Sequence, residues 1–276
     1  MKVLGPTALT MGIALVVAAT PTAAQAPAEA QAPPRSGVQM PQWAAPDPIA
    51  NEGVIEDGAI EALKEMSAYL MSANTLAFTS QGSMDAVTAD GQRIQLDGRT
   101  NYKVRRPGFV VDYVSDIKSR RFIYDGKTFT VYSPTLGFYS SVPAPGTNKE
   151  VLDTIYNKFG IALPLEDLFR WGDPDGSSQR IAALKSAYDV GPATIDGVET
   201  DHYAFREPDV DWEVWIQQGD QPLPRKLVIV DRTDPTHPTF TARLTWQFNP
   251  TLADSDFTFV PDANAKKIQL ATYQGE

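Results

Sequence analysis

Cysteine is absent from all 276 residues, which removes disulfides, thiol nucleophiles, thiolate metal sites and a lipid-modified N-terminal cysteine at once. Histidine is almost as scarce. His202 and His237 are the only two, each isolated in sequence, so zinc clusters and His-based triads lack their raw material. Basic charge is also in deficit, with 24 Lys and Arg against 34 Asp and Glu and a formal net charge of -10. A chain of that sign is a poor source of the counterion release that drives nucleic-acid binding. No nucleophile elbow, zinc-binding helix pair or phosphate-cradling glycine loop occurs, and no apolar run reaches the ~20 residues of a bilayer span. The expectation is a non-enzymatic protein with no catalytic residue, no metal ligand, no cofactor, no nucleic-acid partner and no stable membrane span.

What is present begins with Lys2, an apolar run from Val3 to Ala19 interrupted by small residues and Pro6, and small residues through Ala30. This reads as a secretory signal peptide over 1–26, with cleavage between Ala24 and Ala30. Residues 27–48 are mostly Ala, Pro and Gln, including Pro27, Pro33, Pro34, Pro41, Pro46 and Pro48. Such a stretch has little to bury and reads as a disordered tether. No second Pro-rich linker follows, so 49–276 reads as one domain.

Within it, Val54, Ile55, Ala59, Leu63, Met66, Leu70 and Ala73 recur at three- and four-residue steps, which predicts an amphipathic helix. After Asn74 the pattern changes to alternation. Strands are expected at Thr75–Val87, Gln92–Val104, Phe109–Ser115, either side of an Asp125-Gly126 turn, Leu136–Val142, Thr200–Phe205, Asp211–Gln217, Lys226–Asp231, Phe240–Phe248 and Phe257–Val260. Asp-Gly pairs at 90–91, 97–98, 125–126 and 196–197 suggest hairpin turns. Between the two groups of strands, Val151, Ile155 and Phe159, then Leu165, Leu168 and Phe169, then Ile181, Leu184 and Ala187 have helical spacing. The class is α+β: a curved antiparallel sheet with helices over one face. Such a sheet either fills its concave face with its own side chains or keeps a cavity for a ligand; the alternating aromatics serve both, and the residues alone favour the packed core.

Few residues offer chemistry. Asp211 and Glu213 share a strand face, as a glycosidase pair would, but a solvated edge is the simpler reading. Asp173, Asp175 and Ser177 lack the remaining ligands of a calcium loop and read as a turn. Arg106 is more informative. Counting back by two gives Val104 and Tyr102, which puts its guanidinium on the apolar side of an uninterrupted strand. There it would need a carboxylate or the carbonyls of a covering helix; alternatively Pro107 ends the strand and Arg106 turns to water. Between Arg93 and Lys127, nine Lys or Arg stand against four Asp. That local excess would orient the molecule toward an acidic partner or lipid headgroups, or forms a solvated face.

Val104-Arg105-Arg106-Pro107-Gly108-Phe109, followed by Tyr124-Asp125-Gly126-Lys127-Thr128-Phe129-Thr130-Val131-Tyr132-Ser133-Pro134, resembles paired segments of the periplasmic lipoprotein carrier LolA. Asp256-Phe257-Thr258-Phe259-Val260-Pro261 is similar to that family's final strand. With Arg206–Trp212 and Pro222–Arg225, the likeness is strongest to a family of predicted periplasmic proteins within the LolA-like superfamily. The resemblance implies a periplasmic protein with an unclosed curved antiparallel barrel whose concave face is covered by helices acting as a lid. It implies that Arg106 holds the lid by hydrogen bonds. The ligand or lid residues would be Arg106, Tyr102, Val104, Phe109, Phe122, Tyr124, Phe129 and Val131 on the sheet side, with Leu63, Met66 and Leu70 on the cover. The implied function is binding or carriage of lipid or acylated lipoprotein cargo. The alternative is an envelope sensor or interaction module that receives a protein partner in the same groove.

Overall fold

The computed structural model describes residues 53–144, 146–166 and 180–273, all within the compact unit Asn51–Glu276. The expected signal peptide and tether, with Leu168, Phe169, Asp173, Asp175 and Ser177, lie outside the described residues.

Twelve strands form one sheet: β1 (Thr75–Val87), β2 (Arg93–Arg105), β3 (Phe109–Ser115), β4 (Ser119–Tyr124), β5 (Thr128–Ser133), β6 (Phe138–Pro143), β7 (Ser186–Ile195), β8 (Val198–Arg206), β9 (Val210–Gln217), β10 (Pro224–Asp231), β11 (Thr239–Phe248) and β12 (Lys266–Lys267). β1 to β6 form one antiparallel meander and β7 to β11 a second. They join where β1 pairs with β11, Leu76 opposite Phe248. The sheet is curved and unclosed, ending in β7 on one side and in β12, parallel to β6, on the other. The fold class is therefore the expected α+β one, an unclosed antiparallel sheet with helices over one face.

Among the described residues, two long helices pack on one face. α1 (Asp57–Ser72) buries Ala59, Ile60, Leu63, Met66, Ser67 and Leu70, the three- and four-residue steps of one helix stripe. α2 (Asn148–Phe159) lies between the meanders. It opens on a Thr147–Glu150 capping box and ends at Gly160 in the left-handed conformation, so both ends satisfy their free backbone groups. The face that they cover carries two aromatic rows. One runs Leu76, Val104, Phe109, Tyr124, Phe129 and the other Phe78, Tyr102, Val111, Phe122, Val131, with each residue paired to the next across a strand boundary.

Several expectations need correction. Val54 and Ile55 are not helical. They run alongside β7, where the Ala187 N–H donates to the Val54 carbonyl and the Glu56 N–H to the Ala187 carbonyl, both at 2.8 Å. Ala187 likewise belongs to β7, a strand that the helical spacing through Ile181 and Leu184 concealed. Asp97-Gly98 is no turn but lies inside β2, with Gly98 opposite Gly82 of β1. A Cβ at Gly82 would stand 2.3 Å from the Thr241 carbonyl oxygen, so glycine serves close strand approach there. Asp196-Gly197 does form the two-residue hairpin turn, with both residues at positive φ, as that turn requires.

The expected last strand, Phe257–Val260, is instead the end of a short 3-10 turn (Asp254–Phe257) and an irregular segment. Its alternating aromatics suit a strand, but they dock on the outer face of the sheet. Phe257 is 1% exposed against Val110 and Ile123, and Phe259 lies over Tyr132 and Tyr139. Phe257→Ala is expected to lower stability by about 3 kcal/mol in denaturant unfolding, within the range for buried Phe truncations. Phe259→Ala, at a partly exposed site, should cost less than half as much.

Candidate functional site

The turn between β2 and β3 holds three segments of the chain together. Arg105 and Arg106 are adjacent and so diverge. The Arg106 guanidinium donates to the Met71 carbonyl at 2.6 Å and the Leu70 carbonyl at 3.4 Å, and contacts the Met71 Sδ at 3.4 Å. These carbonyls end α1 and lack intrahelical donors, and a cation there also complements the helix dipole. Burial pushes the Arg106 pKa down, although a guanidinium stays charged. Of the three environments open to Arg106 from sequence, no carboxylate is found among the described residues; β2 ends at Arg105 ahead of Pro107, and Arg106 reaches the helix carbonyls while staying partly exposed to water.

Arg105 goes to the outer face. Its guanidinium pairs with Asp254 and lies 4.0 Å from the Phe257 ring centroid, a cation–π geometry. Beside it Lys103 pairs with Asp256 at 2.5 Å. The third tie is Asn148, the first residue of α2. Its Oδ1 accepts from the Gly108 N–H at 2.7 Å, while its Nδ2 donates to the Arg105 carbonyl at 2.9 Å and to that of Gly108 at 3.3 Å. One four-residue turn thereby fixes the end of α1, the start of α2 and the closing segment of the chain.

The remaining sequence-derived residues share one apolar cluster. Leu63, Met66 and Leu70 of α1 meet Tyr102, Phe109, Phe122, Tyr124 and Phe129 of the sheet, with Val104 and Val131 packed against them. The covered face is filled: Leu70, Tyr124 and Phe129 are each 0% exposed. Two tyrosines tie sheet to cover through their hydroxyls. Tyr102, its ring stacked 4.4 Å from that of Phe78, donates to the Pro164 carbonyl. Tyr124 donates to the Gly146 carbonyl at 2.6 Å. Burial, with the Asp125 and Glu150 carboxylates adding to it, pushes the Tyr124 pKa up, which keeps it a donor.

Sequence reasoning missed the contribution of the second meander, where Phe205, Trp212, Val214 and Leu227 extend the same cluster. It also missed Asn148, whose partners lie about forty residues away; only the tertiary arrangement brings them together. The carboxylates considered for catalysis are engaged on the outer face. Asp211 accepts two hydrogen bonds from Arg206, at 2.7 and 2.8 Å, and Glu213 bonds the His202 Nε2 at 2.7 Å. The His202 ring stacks on Trp215 at 3.8 Å, with the Lys226 ammonium 3.9 Å from the Trp215 centroid. His237 sits in the β10–β11 loop at positive φ. Among the described residues no group of three or more His, Cys, Asp or Glu could hold a metal ion, and no helix is long and apolar enough to cross a membrane.

Replacing Arg106 by Leu removes the donors from the end of α1 while leaving its buried stripe intact. Amides in the last two turns of α1 should exchange with solvent about three- to tenfold faster, as expected for the loss of partly exposed hydrogen bonds. The α2 amides should be unaffected, whereas Asn148→Ala should loosen the first turn of α2 instead.

A search of the curated proteins gives no match. Several solved structures are similar. The lipoprotein LppX of Mycobacterium tuberculosis is 12% identical, covering 72% of this chain and 99% of that one, with a TM-score of 0.44. A LolA superfamily protein of Nitrosomonas europaea is 10% identical, covering 73% and 97%, with a TM-score of 0.35. The MucA/MucB complex of Pseudomonas aeruginosa contains a chain 15% identical, covering 78% of this one and 64% of that one, at a TM-score of 0.41. A family model described as "Predicted periplasmic protein" matches residues 59–271, from the third residue of α1 to beyond β12. The chain belongs to this family, DUF2092, and so to the periplasm.

Proposed function

We propose that this chain is a non-enzymatic periplasmic carrier for acylated cargo, a lipid or the acyl chains of a lipoprotein. The observation that carries the reading is the Arg106 clasp on the last carbonyls of α1, a helix that otherwise rests on the aromatic rows through its apolar stripe. A few hydrogen bonds at one end of a helix are a release point, and the interface beneath them is non-directional.

The energetics support exchange. Uncovering Ile60, Leu63, Met66 and Leu70 costs roughly 6–12 kcal/mol at ~1.5–3 kcal/mol per side chain. Burying about ten to fourteen methylenes of an acyl chain, at ~0.8 kcal/mol each, offsets roughly 8–11 kcal/mol of that. Helix and acyl chain are thus near-equal competitors for the same face, so cargo could be taken up and released without covalent chemistry. In the cargo-free chain the α1 stripe occupies the place of the cargo. The start of α1 is separately fastened along β7, where the Asp189 N–H also donates to the Glu56 carboxylate at 2.9 Å. The far end of α1 would therefore lift while the near end acts as the hinge.

Native mass spectrometry of the protein purified from its own envelope, with uptake of a fluorescent acyl probe, tests this reading. Expected are co-purifying lipid, saturable probe uptake, and release several-fold faster from Arg106→Leu than from the unaltered chain. Absence of lipid together with no probe uptake would sink the proposal. A stable protein partner that survives delipidation would assign the groove to envelope protein recognition instead.

A further inference from the structure

The helix-covered face is not apolar throughout. Next to the row Phe78–Tyr102–Phe122 runs a polar one, a single residue from each of five neighbouring strands: Ser80, Thr100, Tyr113, Arg120 and Ser133. Ser80 pairs with Thr100, Thr100 with Tyr113 and Tyr113 with Arg120. Each stands two positions from a member of the aromatic row on its own strand and so faces the same way. Ser80, Thr100 and Ser133 are 2%, 5% and 8% exposed.

Arg120 is the centre of this row. Its Nη1 donates to the Ser133 hydroxyl and to the Ser119 carbonyl, both at 2.8 Å. Among the described residues no carboxylate pairs with it, whereas its neighbour Arg121, on the outer face, has Asp112 at 3.3 Å. The Ser80 and Thr100 hydroxyls have no hydrogen-bond partner among the described residues either. Lys118 at the same hairpin brings a second cation within 6.0 Å of the Tyr113 ring centroid. A guanidinium has five donors in a planar fork suited to carboxylate or phosphate oxygens, and the Ser133 and Ser119 oxygens engage only Nη1 of Arg120.

We infer that this row is a headgroup subsite, and that the cargo is an amphiphile whose anionic oxygens, phosphate or carboxylate, bind Arg120 while its acyl chain lies along the adjacent aromatic row. The inference rests on the carrier reading and adds a charge preference to it. Ser133 positions the guanidinium, and the Thr100 and Ser80 hydroxyls supply further donors along the row.

The test compares an alkyl phosphate with the alcohol of the same chain length, and inorganic phosphate alone, by calorimetry on the full chain, on Arg120→Gln and on Arg120→Lys. The unaltered protein should bind the alkyl phosphate about tenfold more tightly than the alcohol, the scale of a charge-assisted bidentate contact. Arg120→Gln should erase that preference while holding alcohol affinity within about twofold, which also reports an intact fold, and Arg120→Lys should restore part of it. Equal binding of the two amphiphiles by the unaltered protein, or a preference that persists in Arg120→Gln, overturns the headgroup subsite and leaves the carrier reading standing. Failure of both amphiphiles to bind overturns the carrier reading itself. Inorganic phosphate binding as tightly as the alkyl phosphate would identify a free anion as the ligand and likewise overturn the subsite.

Discussion

The last carbonyls of an amphipathic helix lack intrahelical donors, and in this protein the Arg106 guanidinium supplies them for two of these carbonyls, beside the Ser72 hydroxyl that serves Tyr69. Arg106 reaches Met71 and Leu70 because it follows β2 with the parity of Tyr102 and Val104, while Arg105 with the opposite parity reaches Asp254 and Phe257. Asn148 closes the arrangement by bonding the backbone of the same turn. The position of both helices over the sheet therefore depends on a few polar contacts at one edge of an otherwise apolar interface. Apolar packing sets the strength of that interface, and the polar contacts set its orientation.

The same division appears in the sheet. Its covered face has aromatic side chains for non-directional contact, and the tyrosines among them extend hydroxyls to Pro164 and Gly146, which fixes the register of the covering segments. The outer face works differently. It is laced by ion pairs such as Lys103–Asp256 and Arg206–Asp211 and plugged locally by Phe257. Two of the nine basic residues between Arg93 and Lys127, Lys103 and Arg105, pair there with Asp256 and Asp254 from the C-terminal part of the chain. Exposed pairs of this kind contribute little individually; their value lies in fixing a segment that has no strand partner.

Period-two alternation made most of the sheet legible. β1 and β3 have the expected limits, and most of the other anticipated strands begin and end within two residues of expectation. Alternation failed where two structures share one pattern. Phe257 and Phe259 alternate as in a strand but dock as an outer plug, because their backbone meets no free sheet edge. Ile181, Leu184 and Ala187 fit helical steps, yet Ala187 pairs with Phe205 and bridges to Ile55. Asp97-Gly98 has turn chemistry but continues β2, paired with Ser83 and Gly82 of β1. For the site, the strand parity of Arg106 was readable and its apolar neighbours followed from periodicity. Asn148 and the Tyr102–Pro164 bond were not readable, since each joins segments distant in sequence through one side chain.

The pairing of β1 with β11 has a further consequence. The two meanders consist of local hairpins, each able to form soon after its residues are available, but the seam between them joins Leu76 to Phe248. Closing so long a loop carries an entropic cost that the hairpins do not meet, and topologies rich in such distant pairings assemble slowly. Until the seam forms, β1 is an exposed thirteen-residue edge of the kind that recruits foreign strands. The nascent polypeptide thus has a period of vulnerability that the finished fold conceals, and a molecular chaperone guarding that edge would matter more than one guarding the hairpins.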